Sequence, residues 1–141
     1  MAKKVYSYIR VSTAKQSLQR QKDNINAYLK GESSIQFEDQ YTGTSINRPS
    51  FDKLVKMVDK DVQNGDTVTI IFESVSRMSR SAIEGIEQYF AWYNKGVELL
   101  FLNERYIDTE VFKAAIDQLN MLVELCSLLF KELRKAESSV C

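Results

Sequence analysis

Arg10 and Ser12 are separated by one residue and sit where the pattern of the chain changes. A serine hydroxyl is a candidate nucleophile, and a guanidinium beside it is a candidate clamp for a phosphate, because its planar, always-ionised fork matches paired anionic oxygens. Two more arginines, Arg77 and Arg80, are three apart in Glu73-Ser74-Val75-Ser76-Arg77-Met78-Ser79-Arg80. If Ser76 or Ser79 capped a following helix, both guanidiniums would stand on one side of its first turn. There they would oppose the helix dipole, unless an anion bridged them. A fourth, Arg48, precedes Pro49 in a loop rich in Gly, Ser, Thr and Asn. Each residue also has a plainer reading: Ser12 or Thr13 as a helix N-cap, and Arg10 and Arg48 as solvated charges.

The elements that must position these groups follow from periodicity. Val5, Tyr6, Tyr8, Ile9 and Val11 predict a first strand, and Leu18, Ile25, Tyr28 and Leu29 a helix from about 14 to 29. Residues 35–41 alternate apolar and polar as a half-exposed strand. Pro49 opens a helix carrying Phe51, Leu54, Val55, Val58 and Val62, which stops before Gly65. Residues 67–72 are a compact apolar run suited to a buried central strand. Ile83, Ile86, Phe90 and Tyr93 make a further helix, and residues 97–102 a last strand. Strands alternating with helices predict an α/β fold with a mostly parallel sheet of four or five strands flanked by helices. In such sheets the carboxyl ends of the strands line the ligand crevice. Arg10, Ser12 and the segment 73–81 all lie at such ends.

The chain ends in a helix from about Thr109 to Glu137. Ala115, Leu119, Leu122, Cys126, Leu129 and Leu133 form a heptad seam, while Met121, Val123, Leu125, Leu128 and Phe130 cover the flanks. A helix so apolar on every side needs covering on several sides. Such a helix is either a core helix of a monomer or a subunit interface; the interface reading divides the chain into an α/β catalytic core over 1–107 and an interface helix over 108–141, through which copies of the chain would pair.

Composition narrows the chemistry. The 141 residues contain no histidine, which excludes a Ser-His-Asp nucleophile and a histidine zinc site. There is no glycine-rich phosphate loop. Two cysteines offer neither a disulfide framework nor metal-ligand spacing, so neither metal nor cofactor is expected and a reducing cytoplasm is the natural setting. No apolar run reaches a membrane span. The net charge is zero, so strong sequence-independent DNA affinity is not expected of these residues alone.

Tyr8-x-Arg10-Val11-Ser12-Thr13-x-x-Gln16-Ser17-Leu18-x-x-Gln21 resembles the opening of the serine recombinases, the family of resolvases, DNA invertases and serine integrases. Gly43-x-Ser45-x-x-Arg48-Pro49 is similar to a second family segment, and the stretch around Arg77 and Arg80 to a third. The resemblance implies a resolvase-like catalytic domain that cuts and rejoins double-stranded DNA through a covalent 5′-phosphoserine. Ser12 would be the nucleophile and Arg10, Arg48, Arg77 and Arg80 the transition-state donors, with Tyr8, Gln16, Gln21, Ser76 and Glu73 supporting. It also implies homodimers, tetramers during strand exchange, and a DNA-binding domain that this chain lacks. One departure stands out: the family's usual aspartate before the first arginine of the third segment is Ser76 here. Glu73 is the nearest carboxylate in sequence and the expected substitute. A catalytically silent, DNA-associated assembly module with the same fold, and a flavodoxin-like anion or nucleotide binder, are the readings from other classes.

Overall fold

The computed structural model describes residues 2–11, 15–40, 47–79 and 81–139, and clusters into two units, residues 1–109 and 110–141. Ser12, Thr13 and Arg80, and the side chain of Gln16, fall outside the described residues.

The first unit follows from its strands. Lys3–Val11 forms β1, Ile35–Gln40 β2, Thr67–Phe72 β3 and Glu98–Phe101 β4. All neighbours pair in parallel, in the order β2-β1-β3-β4. Helix α1, Lys15–Leu29, packs on β1; α2, Pro49–Gln63, packs on β2 and β3; α4, Ala82–Asn94, packs on β4, and a one-turn helix α3, Val75–Met78, lies between β3 and α4. The strand order reverses direction after β2. Right-handed crossovers therefore send α1 to one face and α2 and α4 to the other. The two buried clusters record this. Ile9, Val11, Ile71 and Leu100 meet Ile25 and Leu29 of α1, whereas Tyr6, Tyr8, Ile70, Phe72, Leu99 and Phe101 meet Phe51, Leu54, Val58 and Trp92. The crevice rule for open sheets then points to the carboxyl ends of β1 and β3, between which the order switches.

Two tyrosine–aspartate pairs fix α2 to β1. Tyr6 Oη donates to Asp61 on α2, and Tyr8 Oη donates to Asp39 Oδ2 at 2.7 Å on β2. Asp39 also accepts from the backbone N–H groups of Ser50 (3.0 Å) and Phe51 (2.9 Å). Those are orphan donors of the first turn of α2, whose own N-cap, Arg48, supplies no capping side chain. A strand residue thus caps the helix. Both helices that return to the buried strands leave through a glycine at positive φ, Gly65 after α2 and Gly96 after α4, as a tight C-terminal turn requires.

After β4 the chain turns through a 3-10 segment, Arg105–Ile107. Asp108 Oδ1 accepts from the Phe101 N–H at 2.8 Å and Thr109 Oγ1 from the Leu99 N–H at 2.9 Å, so side chains satisfy the open edge of β4. The second unit is one helix, α5, Thr109–Ser139. Among the described residues no helix is long and apolar enough to cross a membrane.

The sheet has four strands among the described residues, all parallel, inside the range expected from periodicity. Burial, followed by the hydrogen bond and charge of the neighbouring aspartate, holds the Tyr6 and Tyr8 phenols well above a tyrosine's ordinary ionisation range. In the unfolded chain they ionise near pH ~10, so the stabilisation is complete below that pH and is lost as pH rises above it. Thermal melts taken from about pH 9 upward should therefore show a steeper alkaline loss for the native sequence than for Y6F/Y8F. Parallel curves would contradict this account of the two phenols.

Candidate active site

Arg10 is the penultimate residue of β1, in its buried run, and is 8% exposed. Its register partner on β2 is Asp39, and Tyr8, two residues before it, pairs with Phe72 of β3. That register carries Arg10 alongside the chain leaving β3, and its Nη2 donates to the Ser76 carbonyl. Gln21 lies on α1 with no exposed surface. Its Nε2 donates to the Arg10 carbonyl at 3.1 Å, so α1 holds the end of β1 just before the Ser12 segment.

Arg48 reaches the same turn from the other side. Asp39 holds the first turn of α2, and Arg48 immediately precedes it. The Arg48 guanidinium lies 3.9 Å over the Phe51 ring, and its Nη1 donates to the Met78 carbonyl. Ser76 and Met78 both belong to α3 and flank Arg77. The last carbonyls of a helix have no partner within it, and a one-turn helix has scarcely any others. Cations are the natural groups to satisfy them. Arg10 and Arg48 thus clasp α3 on either side of Arg77, bringing together arginines from three separate segments. Arg77 Nε is buried and has no hydrogen-bond partner among the described residues.

The caps around α3 differ from those expected. Ser74 caps α3, its hydroxyl accepting from the Ser76 N–H, and Ser81 caps α4 by accepting from the Glu84 N–H at 3.4 Å. Ser79 instead accepts from the Ser81 N–H and donates to the Ser81 carbonyl. Arg77 therefore stands on a separate one-turn helix and not on the first turn of α4. The paired arrangement with Arg80 lies outside the described residues.

Glu73 is not brought to Ser76. Strand alternation places it on the α1 face with Ile71, where it is buried, bonded to Arg20 Nη2 at 3.0 Å and to Asn24 Nδ2 at 2.9 Å. The expected substitute carboxylate serves instead to fasten α1 to β3. Asp39, which periodicity did not single out, is the buried carboxylate nearest Arg48 in the network. Its one sequence signal is that it falls in the same strand register as Ile35 and Phe37.

Beside Arg48 an open cleft of about 630 Å³ runs between α2 and α4, floored by Phe51, Val55 and Met78. Its lining carries Asp52, Glu84 and Glu87 against Arg48 and Lys56, a net acidic balance unfavourable to an anionic ligand in the cleft itself. No cluster of three or more metal-ligating side chains occurs among the described residues.

Asp39→Asn tests how the Arg48 loop is held. The amide NH2 would oppose the Ser50 N–H or the Phe51 N–H, so unfolding free energy from urea titration should fall by about 1–3 kcal/mol. A loss within ~0.3 kcal/mol of zero would mean that Asp39 does not anchor α2.

The chain has relatives of known family and fold. Residues 5–136 match the family described as Resolvase, N terminal domain. A resolvase of Clostridium perfringens (strain 13 / Type A) is 32% identical over 102 residues, which are 72% of this chain and 50% of that protein. A second Clostridium perfringens resolvase is 31% identical over the same shares. The chain thus spans about half the length of the curated relatives it matches. Among solved structures, the N-terminal catalytic domain of TP901-1 integrase covers 87% of this chain and 98% of its own, with TM-score 0.60 at 23% identity. A resolvase family site-specific recombinase from Streptococcus pneumoniae covers 95% and 99%, with TM-score 0.63 at 24% identity. These two share the fold: a parallel sheet between helices, followed by a long terminal helix. With the family match extending over nearly its whole length, and the Arg10, Arg48 and Arg77 segments meeting at the crevice of its sheet, this chain belongs to the resolvase family and carries its N-terminal domain.

Proposed function

We propose that this chain is the catalytic domain of a DNA recombinase, with Ser12 as nucleophile. Ser12 Oγ attacks a DNA phosphodiester in line. An Oγ–P bond forms, the P–O3′ bond breaks, and the 3′ oxygen takes up a proton and leaves as a hydroxyl. The 5′-phosphoserine retains the energy of the broken ester, and attack by a new 3′ hydroxyl reverses the step without a nucleotide cofactor. Arg10, Arg48, Arg77 and Arg80 stabilise the charge on the non-bridging oxygens. With no histidine in the chain, the Ser12 proton passes to water or solvent-linked groups, and the surrounding positive charge favours the alkoxide.

The observation that carries this reading is the clasp. Arg10 and Arg48, from different strands and loops, close on the two carbonyls that flank Arg77. A bound phosphate offers both guanidiniums a better acceptor than a neutral carbonyl. Tyr8 and Gln21 support the site through Asp39 and the Arg10 carbonyl, and Gln16 is assigned to the same supporting group. Glu73 has no part in the mechanism. The net acidic lining of the α2/α4 cleft argues against a flavodoxin-like anion binder using that cleft.

In the full-length protein, S12A should bind its DNA site yet leave no denaturant-resistant adduct on a nicked suicide substrate. An adduct that survives S12A contradicts the assignment. A native protein that binds DNA and never forms an adduct identifies a silent assembly module instead. Each of R10K, R48K and R77K should slow adduct formation by roughly 100-fold, or about 3 kcal/mol, because lysine loses the fork. Rates near the native value would remove that arginine from the site.

The same reading assigns α5 to assembly in the cytoplasm. Leu119, Met121, Leu122, Leu125, Leu129 and Leu133 are each 54–71% exposed along it. A contiguous apolar surface of this kind is uncommon on a monomer, and a two-fold axis lets the patch meet itself. Cutting both strands of a duplex takes two copies of Ser12, and exchange between two sites takes four. Sedimentation of L122E/L129E should show monomers where the native chain shows dimers. A native chain that stays monomeric at high micromolar concentration contradicts the interface.

A further inference from the structure

The resemblance places an aspartate where this chain has Ser76, and Glu73 does not replace it. Another carboxylate reaches Ser76 indirectly. Beyond β4 the Leu102 N–H donates to the Phe72 carbonyl and the Asn103 N–H to the Glu73 carbonyl at 2.8 Å, which lays Glu104 beneath the start of α3. Glu104 Oε1 accepts from Ser74 Oγ at 2.6 Å and from the Val75 N–H at 3.4 Å. Ser74 Oγ in turn accepts from Ser76 Oγ at 3.2 Å and from the Ser76 N–H at 3.4 Å. The second oxygen of Glu104, Oε2, is buried and has no hydrogen-bond partner among the described residues.

The carboxylate sets the direction of this chain of hydroxyls. An ionised carboxylate only accepts. Ser74 therefore gives its proton to Glu104, and its oxygen is left to accept. Ser76 Oγ, on an exposed residue, donates to that oxygen, and while this bond stands it turns lone pairs outward. Its carbonyl meanwhile holds Arg10.

We propose that Glu104 is a positioning residue for the recombination chemistry, acting through Ser74 to bias the Ser76 hydroxyl toward accepting, the polarity an aspartate at position 76 would have. This rests on the reading of the chain as a recombinase catalytic domain. Glu104 touches neither the phosphate nor the reacting atoms. It sets the orientation of two hydroxyls and steadies the turn that carries Arg77.

Glu104→Leu removes the acceptor at nearly the same volume, so Ser74 can turn its proton toward Ser76 and the direction of the relay is no longer imposed. In the full-length protein under single-turnover conditions, E104L should slow adduct formation by about tenfold or more with unchanged DNA affinity, the effect of a small misplacement of donors around the reacting centre. The loss should vanish in an S76D background, where S76D/E104L should match S76D, since an aspartate at 76 needs no relay. Native-rate E104L overturns the proposal. So does an equal loss in the S76D background, because a merely structural Glu104 would be missed whatever stands at 76. If E104L does not fold, S74A interrupts the relay at its middle and is read the same way: a loss absent from the S76D background supports it, a loss that persists there refutes it. A native protein that forms no adduct at all rejects the recombinase reading. In that event amide hydrogen exchange still tests the network: the Val75 and Ser76 N–H groups should lose protection in E104A, and unchanged protection rules the relay out.

Discussion

A helix of one turn has no interior in which to satisfy its carbonyls, and that constraint organises this site. The α3 segment follows the central strand β3 and exposes carbonyl oxygens at Ser76 and Met78. Water would serve them at the surface. Here two arginines do, and their presence turns an awkward turn into a frame for cationic groups. The clasp is also reversible in kind. A hydrogen bond from guanidinium to a neutral carbonyl is weaker than one to a phosphate oxygen, so a phosphate would compete for these guanidiniums on favourable terms.

The rest of the first unit supplies the two arms of the clasp. Parallel pairing of β1 and β3 sets Arg10 beside the turn without any loop to adjust. Arg48 stands on less rigid ground, at the entrance to α2, and Asp39 compensates by holding two N–H groups of that helix and the Tyr8 hydroxyl at once. A buried carboxylate is costly unless its oxygens are satisfied, and this one accepts three hydrogen bonds. Glu73 follows the same rule on the opposite face, where Arg20 and Asn24 satisfy it. Both carboxylates are anchors between elements, each bonded to a helix that flanks the sheet.

The pattern of the chain made most of the fold legible. Apolar runs of strand length alternating with helical spacings led to a parallel α/β sheet, and Pro49 marked the start of α2 where it occurs. The α3 turn was not legible, since four residues are too few for a periodic signal. Ser74, Ser76, Ser79 and Ser81 are all competent caps, and only tertiary hydrogen bonds decide among them. Glu73 was misjudged for a related reason: it is nearest to Ser76 along the chain, but strand alternation turns it to the far face. Asp39 and Glu104 act across 11 and 30 residues of sequence, toward the Ser50 N–H and the Ser74 hydroxyl. Spacing cannot disclose partners at that range.

Mapping the covalent linkage tests the central claim most directly. After cleavage of a suicide substrate by the full-length protein, nuclease trimming leaves a nucleotide 5′-phosphate on the attacking residue. Trypsin cuts after Arg10 and Lys15, so the mark should appear on the peptide Val11-Ser12-Thr13-Ala14-Lys15, and fragmentation should assign it to Ser12. A nucleotide found on any other residue would contradict the assignment of Ser12 as the nucleophile.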